Sequence, residues 1–563
     1  MNKHILGCKA ANMGKVLSLS LLCAAAATGC IDETEPQSST ATLDQVSSAP
    51  GIFDNFVSAL NSTHAGQFVY SPANQYPFDF GLSSFFLVRD IMGHDIATRG
   101  DWFSYWYECY SGAYSPSSSL SQFPWTCYYS WVKSCNEVLS MAGSEVSDDM
   151  ADGAAQAHAI RALLYLDLAQ MYAPKAYTVD KTSLTVPLVT ETTTTADLTD
   201  NPRLTNEEMY DFILSDLDKA EEMMDPSHTD VYTPNIYLVY GLKARTYLLM
   251  GNWAKAEEYA KMAQEKYTMM TPEEYTSQET GFNTPNSAWI YALKFNSDDP
   301  CILENDGDSS WGSQMCIEID PSASGCGYAA NYGQPQCIDY HLYQTIPATD
   351  CRKKCYIDFA IDNMSGAERT AALGEYTAHP DWIEKCASAS GAGVGGLELK
   401  FRTGGGETGR ANQKIGFCVS VPVMRVEEMM LIEAEAAAWQ DEARGKTLLT
   451  EFALQRDPNF EYGKHNESYG NTSTPAVVNE IWWQRRVELW GEGFAMGDIK
   501  RLNKNVIRSY TNTNHKDGYQ WNTEGPAPWM TLVIVQTETN YNTACINNPS
   551  PTAPSGNSDP YVF

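Results

Sequence analysis

The stretch Leu242-Lys243-Ala244-Arg245, continuing through Leu249 and Met250-Gly251-Asn252-Trp253 to Ala256, Tyr259, Ala260 and Ala263, decides the fold. Leu238, Leu242 and Leu249 recur at helical spacing before Gly251, and Ala256, Ala260 and Ala263 do so after it. Glycine ends one helix and Asn252 caps the next. A linker this short makes the two helices antiparallel, and the alanines let their axes approach closely. One such hairpin cannot bury its own apolar face, so further hairpins must stack on it.

Working outward, Trp131, Val132, Cys135, Val138 and Leu139 mark a helical face, and so do Ile160, Leu163, Leu164, Leu168 and Met171 within Ala154–Tyr172, which Pro174 stops. Thr205 with Glu208 three residues on forms a capping box, followed by the stripe Met209, Phe212, Ile213, Leu217, Ala220 and Met224. Thr233-Pro234 predicts the start of the helix that ends at Gly251. Leu184, Val186, Leu188 and Val189 predict a short strand, which Pro187 confines to a sheet edge. A further helical pair is predicted at about 422–440 and 477–493. The central hairpin resembles a tetratricopeptide repeat. The predicted class is mainly α: a tetratricopeptide-like helical hairpin scaffold with few short strands. From 271 to 420 the periodicity fades into Gly, Ser, Asn and Cys, a long irregular, loop-rich insertion. Its glycine runs lack the Gly-Lys-Ser/Thr ending of a phosphate cradle.

A chain of 563 residues with 43% apolar and 12% aromatic content has the means to bury a large core. Its 70 acids against 38 bases repel phosphate backbones, so no nucleic-acid partner is expected. Residues 1–29 carry Lys3, Lys9 and Lys15, no acid, and a short apolar run ending in alanines, which reads as a signal peptide. Met13 offers a second start for that leader. Ala27-Thr28-Gly29-Cys30 resembles a bacterial lipobox, which implies acylation of Cys30 and an anchor in outer-membrane lipid. Residues 30–48 form a flexible tether, and its acids Asp32, Glu33 and Glu35 resemble the surface-export signal of Bacteroidetes lipoproteins. Beyond Cys30, twelve cysteines in an oxidising compartment predict disulfides, with the pairing open. No metal or cofactor is expected. Cys351 and Cys355 lack a second short cysteine pair, and Asp306-Gly307-Asp308 lacks the other ligands of a calcium loop. Nothing singles out a catalytic triad or a carboxylate pair.

Four groups of residues then carry a family resemblance. They are Ala157-His158-Ala159-Ile160-Arg161-Ala162 with Tyr172-Ala173-Pro174; Arg203-Leu204-Thr205 with Tyr210-Asp211 and Asp216-Leu217; the Lys243–Ala263 hairpin; and a C-terminal set. The last comprises Arg425-Val426-Glu427-Glu428, Ile432–Ala436, Arg485-Arg486-Val487-Glu488-Leu489 and Asp498-Ile499-Lys500-Arg501. In this order, behind a lipobox, they resemble the SusD/RagB family of outer-membrane lipoproteins. Gln484 replaces the family's usual Glu, Ala173 its glycine, and the element at Leu454-Gln455-Arg456 is a weak match. The arginines on apolar helices read as paired scaffold residues rather than ligand contacts.

The resemblance implies two SusD-like regions, 49–270 and 421–563, flanking a Cys-rich ligand-face insertion at 271–420. It implies a lipid-anchored, non-catalytic protein of the outer membrane facing the cell exterior. Such a protein captures oligosaccharide and hands it to a SusC-like TonB-dependent transporter; the alternative is a RagB-like peptide receptor of such an importer. Sugar rings lie on aromatic faces, so the expected ligand contacts are Trp102, Tyr105, Trp106, Trp311, Tyr328, Asn331 and Tyr332, drawn from the two aromatic-rich segments Asp101–Tyr110 and Asn305–Tyr340.

Overall fold

Local capping sets the helix boundaries. The computed structural model describes residues 51–98, 109–322, 326–331, 336–390 and 393–563, with side chains omitted for Asn331 and 388–390. Phe53–Phe563 folds as one compact unit, and Met1–Ile52 is a separate unit of which Gly51 and Ile52 are described. The elements used below are α1 (Ile52–Thr63), α2 (Ser84–Ile91), α3 (Ser119–Ala142), α4 (Ala151–Tyr172), β1 (Leu184–Pro187), β2 (Arg203–Thr205) and α5 (Asn206–Met223). They continue with α6 (Ile236–Met250), α7 (Trp253–Gln264), β3 (Trp289–Lys294), α8 (Trp311–Met315), α9 (Gly327–Asn331) and α10 (Tyr340–Thr345). The C-terminal set is β4 (Ser420–Arg425), α11 (Val426–Gln440), α12 (Glu442–Leu454), α13 (Ala476–Glu488) and α14 (Ala495–Arg501).

Thr205 Oγ1 accepts from the Glu208 N–H at 3.2 Å while Glu208 Oε2 accepts from the Thr205 N–H at 2.9 Å, closing the predicted capping box on α5. Gly251 takes the left-handed conformation at φ 71°, and the Asn252 N–H returns to the Tyr247 carbonyl at 2.9 Å. The α6–α7 turn is therefore as tight as the sequence demands. The start of α6 differs from expectation. Asn235, not Thr233, is the cap, and its side chain accepts from the N–H groups of Tyr237 and Leu238 at 3.0 and 3.1 Å.

The helices stack in an order that follows the chain: α3 on α4, α4 on α5, α5 on α6, α6 on α7, then α7 on α11 and α11 on α12 and α13. Trp253 and Trp439 stack at 5.1 Å across the α7–α11 contact. α4 is buried on nearly every side, as a central helix must be when hairpins cover both its flanks. Two small antiparallel ribbons complete the fold. β1 pairs with β2, with Pro187 opposite Arg203, as the predicted edge strand requires. β3 pairs with β4 from Trp289↔Arg425 to Lys294↔Ser420. That second ribbon corrects the predicted helix start at 422, because 420–425 is strand. The next bond along, Phe295 N–H to the Val419 carbonyl at 3.0 Å, makes the insertion leave and return at one point. Ile317, Ala329, Ile357, Ile361, Leu373, Ile383, Val394, Leu397 and Leu399 give the insertion a small core of its own.

The scaffold arginines are paired. Arg161 meets Asp216 at 2.8 Å, Arg245 Glu428 at 2.7 Å, Arg485 Asp498 at 2.7 Å and Arg486 Asp95 at 2.6 Å. At the centre, Glu488 takes Arg456 at 3.0 Å, Arg425 at 3.2 Å and Arg352 at 3.3 Å, all fully buried. Arg352 also donates to Gln484 Oε1 at 2.7 Å, so the substituted glutamine keeps its place as an acceptor.

The predicted disulfides are corrected: among the described residues none forms. Cys127 and Cys135 stand two turns apart on one helix, and the Cys301 thiol donates to the Asp79 carbonyl at 3.6 Å. Burial pushes the Cys127, Cys301 and Cys316 thiols well above their ordinary value, which suits small apolar side chains in a core.

Candidate ligand-binding cleft

Of the expected ligand contacts, Trp102, Tyr105, Trp106 and Tyr332 lie outside the described residues. Asn331 ends α9. Trp311 is 1% exposed, its ring packed edge-on against Phe401 at 5.0 Å and Phe86 at 6.3 Å, and Tyr328 is buried as well. These two therefore belong to the interior. An aromatic-rich segment serves a core as readily as a surface, and composition does not separate the two.

The insertion instead builds an open cleft of about 480 Å3, walled by Tyr340, Gln344, Asp358, Phe359, Asn363 and the loop residues Asn512 and Asn514. Its size falls within the range of small-ligand sites. α10 supplies one wall. Its cap, Asp339, accepts from the Leu342 N–H at 2.9 Å and from the Tyr510 hydroxyl, with the His515 imidazole at 3.3 Å. Burial opposes the charge on Asp339, yet its bonds to His515 and Tyr510 hold the carboxyl below the ordinary value. Asn514 ties the far loop to this helix, accepting from the Tyr340 N–H at 2.8 Å and donating to the Ile338 carbonyl at 2.9 Å. Asn512 turns that loop at φ 66°, a conformation asparagine tolerates.

Phe359 forms the opposite wall. It opens a 3₁₀ turn, Phe359–Asn363, capped by Asp358, whose carboxylate accepts from the Ala360 N–H at 2.8 Å. Its ring meets Tyr340 at 4.9 Å and 87°, and Tyr343 at 5.3 Å. Gly396, at φ 81°, sits directly behind it, and a Cβ there would lie 2.5 Å from Phe359 Cζ. The Gly-rich run that reads as a plain loop thus seats the ring. Tyr340 and Phe359 remain half-buried, while Gln344, Asn363 and Asn512 are exposed. The chemistry is two aromatic rings beside four carboxamides and a single carboxylate, which suits stacking on a sugar ring and hydrogen bonding to its hydroxyls. Asn305, Asp306 and Gly307 form a left-handed turn ahead of Asp308, and among the described residues no group of three or more His, Cys, Asp or Glu side chains is placed to hold a metal ion.

A family model described as starch-binding, associating with the outer membrane, matches residues 87–248. Solved structures extend the likeness over the fold. A SusD-like carbohydrate binding protein from Bacteroides vulgatus is 21% identical at a TM-score of 0.65, over 88% of this chain and 97% of that one. A SusD superfamily protein from Bacteroides thetaiotaomicron is 20% identical at 0.64, over 88% and 99%. Residues 87–248 match that family's model, and the chain has the SusD-like fold. Surface glycan-binding protein A from Bacteroides thetaiotaomicron, solved with laminarihexaose, matches this chain at 18% identity and a TM-score of 0.62, over 89% of this chain and 99% of that one. No curated protein sequence matches it. Among the described residues, no helix of the protein is long and apolar enough to cross a membrane. Tyr340 ends the aromatic-rich segment, whereas Phe359, Asn512 and Asn514 lie beyond it, outside both segments expected to supply ligand contacts. No local signal links residues 340 and 514; the fold brings them together.

Proposed function

We propose that this SusD-like protein is a surface-exposed glycan-binding lipoprotein, anchored through acylated Cys30, that captures oligosaccharide without catalysis. It hands that oligosaccharide to a SusC-like TonB-dependent transporter. The observation that carries the reading is the Tyr340–Phe359 cleft, open to solvent and lined by aromatic edges and amides. Stacking on such rings contributes apolar contact at low side-chain entropy cost, and the carboxamides replace the water lost by sugar hydroxyls. Asp358 is the one carboxylate among the described lining residues, whereas glycoside hydrolysis uses two flanking the scissile bond. Residues 49–270 and 421–563 would then act as platform and 271–420 as ligand face, with Trp102, Tyr105, Trp106, Asn331 and Tyr332 as further contacts.

Retention of the purified protein on immobilised neutral polysaccharides, with no reducing ends released from them, supports this reading. Release of reducing ends, or binding to peptides alone, overturns it. A vicinal TonB-dependent barrel that co-purifies from detergent-solubilised outer membrane supports the transfer step.

A further inference from the structure

A second cleft, of about 220 Å3, opens between α1 and β3. Ser58 and Ser62 of α1, Tyr232 and Thr233 ahead of α6, Lys294 at the end of β3 and Asp299 in the following turn line it. Its chemistry differs from that of the Tyr340–Phe359 cleft. Tyr232 offers no open platform for a sugar ring, because the Lys294 ammonium sits 5.4 Å from the ring centroid and the phenol is hydrogen-bonded to Ser420 at 3.0 Å.

What the cleft offers is opposite charge held apart. Among the described residues neither Lys294 nor Asp299 closes a salt bridge, although the Lys294 charge acts on Asp299 and lowers its carboxyl in part. Asp299 Oδ2 accepts from the Asn296 N–H at 2.6 Å, which fixes the carboxylate in a tight turn. Gly66 packs against it so closely that a Cβ would lie 2.3 Å from Oδ2. Burial, followed by the charge of Asp298, holds the Asp299 carboxyl above its ordinary value against that hydrogen bond. A cation brought to it would relieve that cost. On the α1 side, Asn61 donates to Gln156 at 2.8 Å, while its buried Oδ1 has no hydrogen-bond partner. A buried acceptor left unsatisfied is unfavourable until an N–H donor arrives.

One fixed carboxylate, one unpartnered amide oxygen and one ammonium outside any salt bridge match a ligand that carries both an ammonium and a carboxylate. We propose that this cleft binds a small zwitterion, an α-amino acid or a short unblocked peptide, with its ammonium at Asp299 and Asn61 and its carboxylate at Lys294. This site stands independently of the glycan reading.

Saturation-transfer NMR on the full chain, with dialanine as probe, tests it. Saturable dialanine binding is expected. N-acetyl-dialanine amide, which lacks both charges, is expected not to bind. Lys294→Met and Asp299→Asn should each weaken dialanine by about tenfold. Lys294 is exposed, and asparagine preserves the acceptor of the Asn296 turn, so both variants should melt as the parent does. No saturable signal up to about 10 mM dialanine, equal binding of the blocked analogue, or an unchanged Lys294→Met titration would each overturn the proposal. Competition by a neutral oligosaccharide would place dialanine in the other cleft and overturn it too.

Discussion

In the helical scaffold, Glu488 faces Arg456, Arg425 and Arg352; in the insertion, the equally buried Glu398 accepts only from the backbone N–H groups of Lys400 and Phe401, and its Oε1 has no hydrogen-bond partner among the described residues. Burial works against ionisation in both. In the scaffold the three guanidiniums win and pull Glu488 well below the ordinary carboxylate range. In the insertion burial wins and pushes Glu398 up to about 8. The scaffold is thus fixed by matched charge drawn from segments distant in sequence, with Arg352 reaching in from the insertion. The insertion has buried pairs too, Arg402 with Glu318 at 3.1 Å and Arg352 with Asp350 at 2.7 Å, but it leaves Glu398 without one and rests besides on a small apolar core and tight glycine turns.

The largest expected effect lies in the scaffold. Glu488→Gln leaves three buried guanidiniums short of a counter-charge and should cost about 3–5 kcal/mol in denaturant unfolding; a loss below about 1 kcal/mol would refute the charge-matching account. With a folded-state pKa below the unfolded one, Glu488 contributes stability that is present above the ordinary carboxylate value and is lost as pH falls toward the folded value. Glu398 has the opposite sign. The folded state binds the extra proton between its ordinary 4.5 and about 8, so stability falls as pH rises through that window. Glu398→Gln should therefore stabilise by roughly 2 kcal/mol at pH 8 and much less at pH 5, read from unfolding midpoints at the two pH values. Next comes Gly396→Ala, which combines φ 81° with a contact at Phe359 Cζ. About 1 kcal/mol of stability and a severalfold loss of oligosaccharide affinity are expected, checked by thermal melts and titration. The smallest effect belongs to Asp358→Asn. Asparagine caps the Phe359–Asn363 turn as well as aspartate does, so stability should stay within about 0.5 kcal/mol in the same melts.

The sequence makes the scaffold legible where interactions are local. Gly251-Asn252, the Thr205–Glu208 box and Pro174 act within a turn or two, and each stands where its chemistry requires. The paired arginines are legible as well, since an arginine on an apolar helix has to find a carboxylate. Their partners are less so: Arg456, in the weakest family element, sits at the heart of the Glu488 cluster, and Asp95 reaches Arg486 across 391 residues of sequence. The β3–β4 ribbon escapes periodicity because each strand is short and buried along most of its length. The same holds for the cleft. Tyr340, Phe359 and Asn514 come from three segments with no shared pattern, whereas Trp311, chosen for its aromatic neighbourhood, fills the core between Phe86 and Phe401. The cysteines mislead for a related reason, since an even count in an oxidising compartment says nothing of where each thiol packs.

Glycan binding is proposed to depend on the Tyr340–Phe359 cleft. Calorimetric titration of neutral oligosaccharides into the parent protein and into the Tyr340→Ala/Phe359→Ala double variant tests it most directly. Saturable binding by the parent, weakened by at least about tenfold in a variant that melts normally, is the predicted result. Undiminished binding by that variant would contradict it.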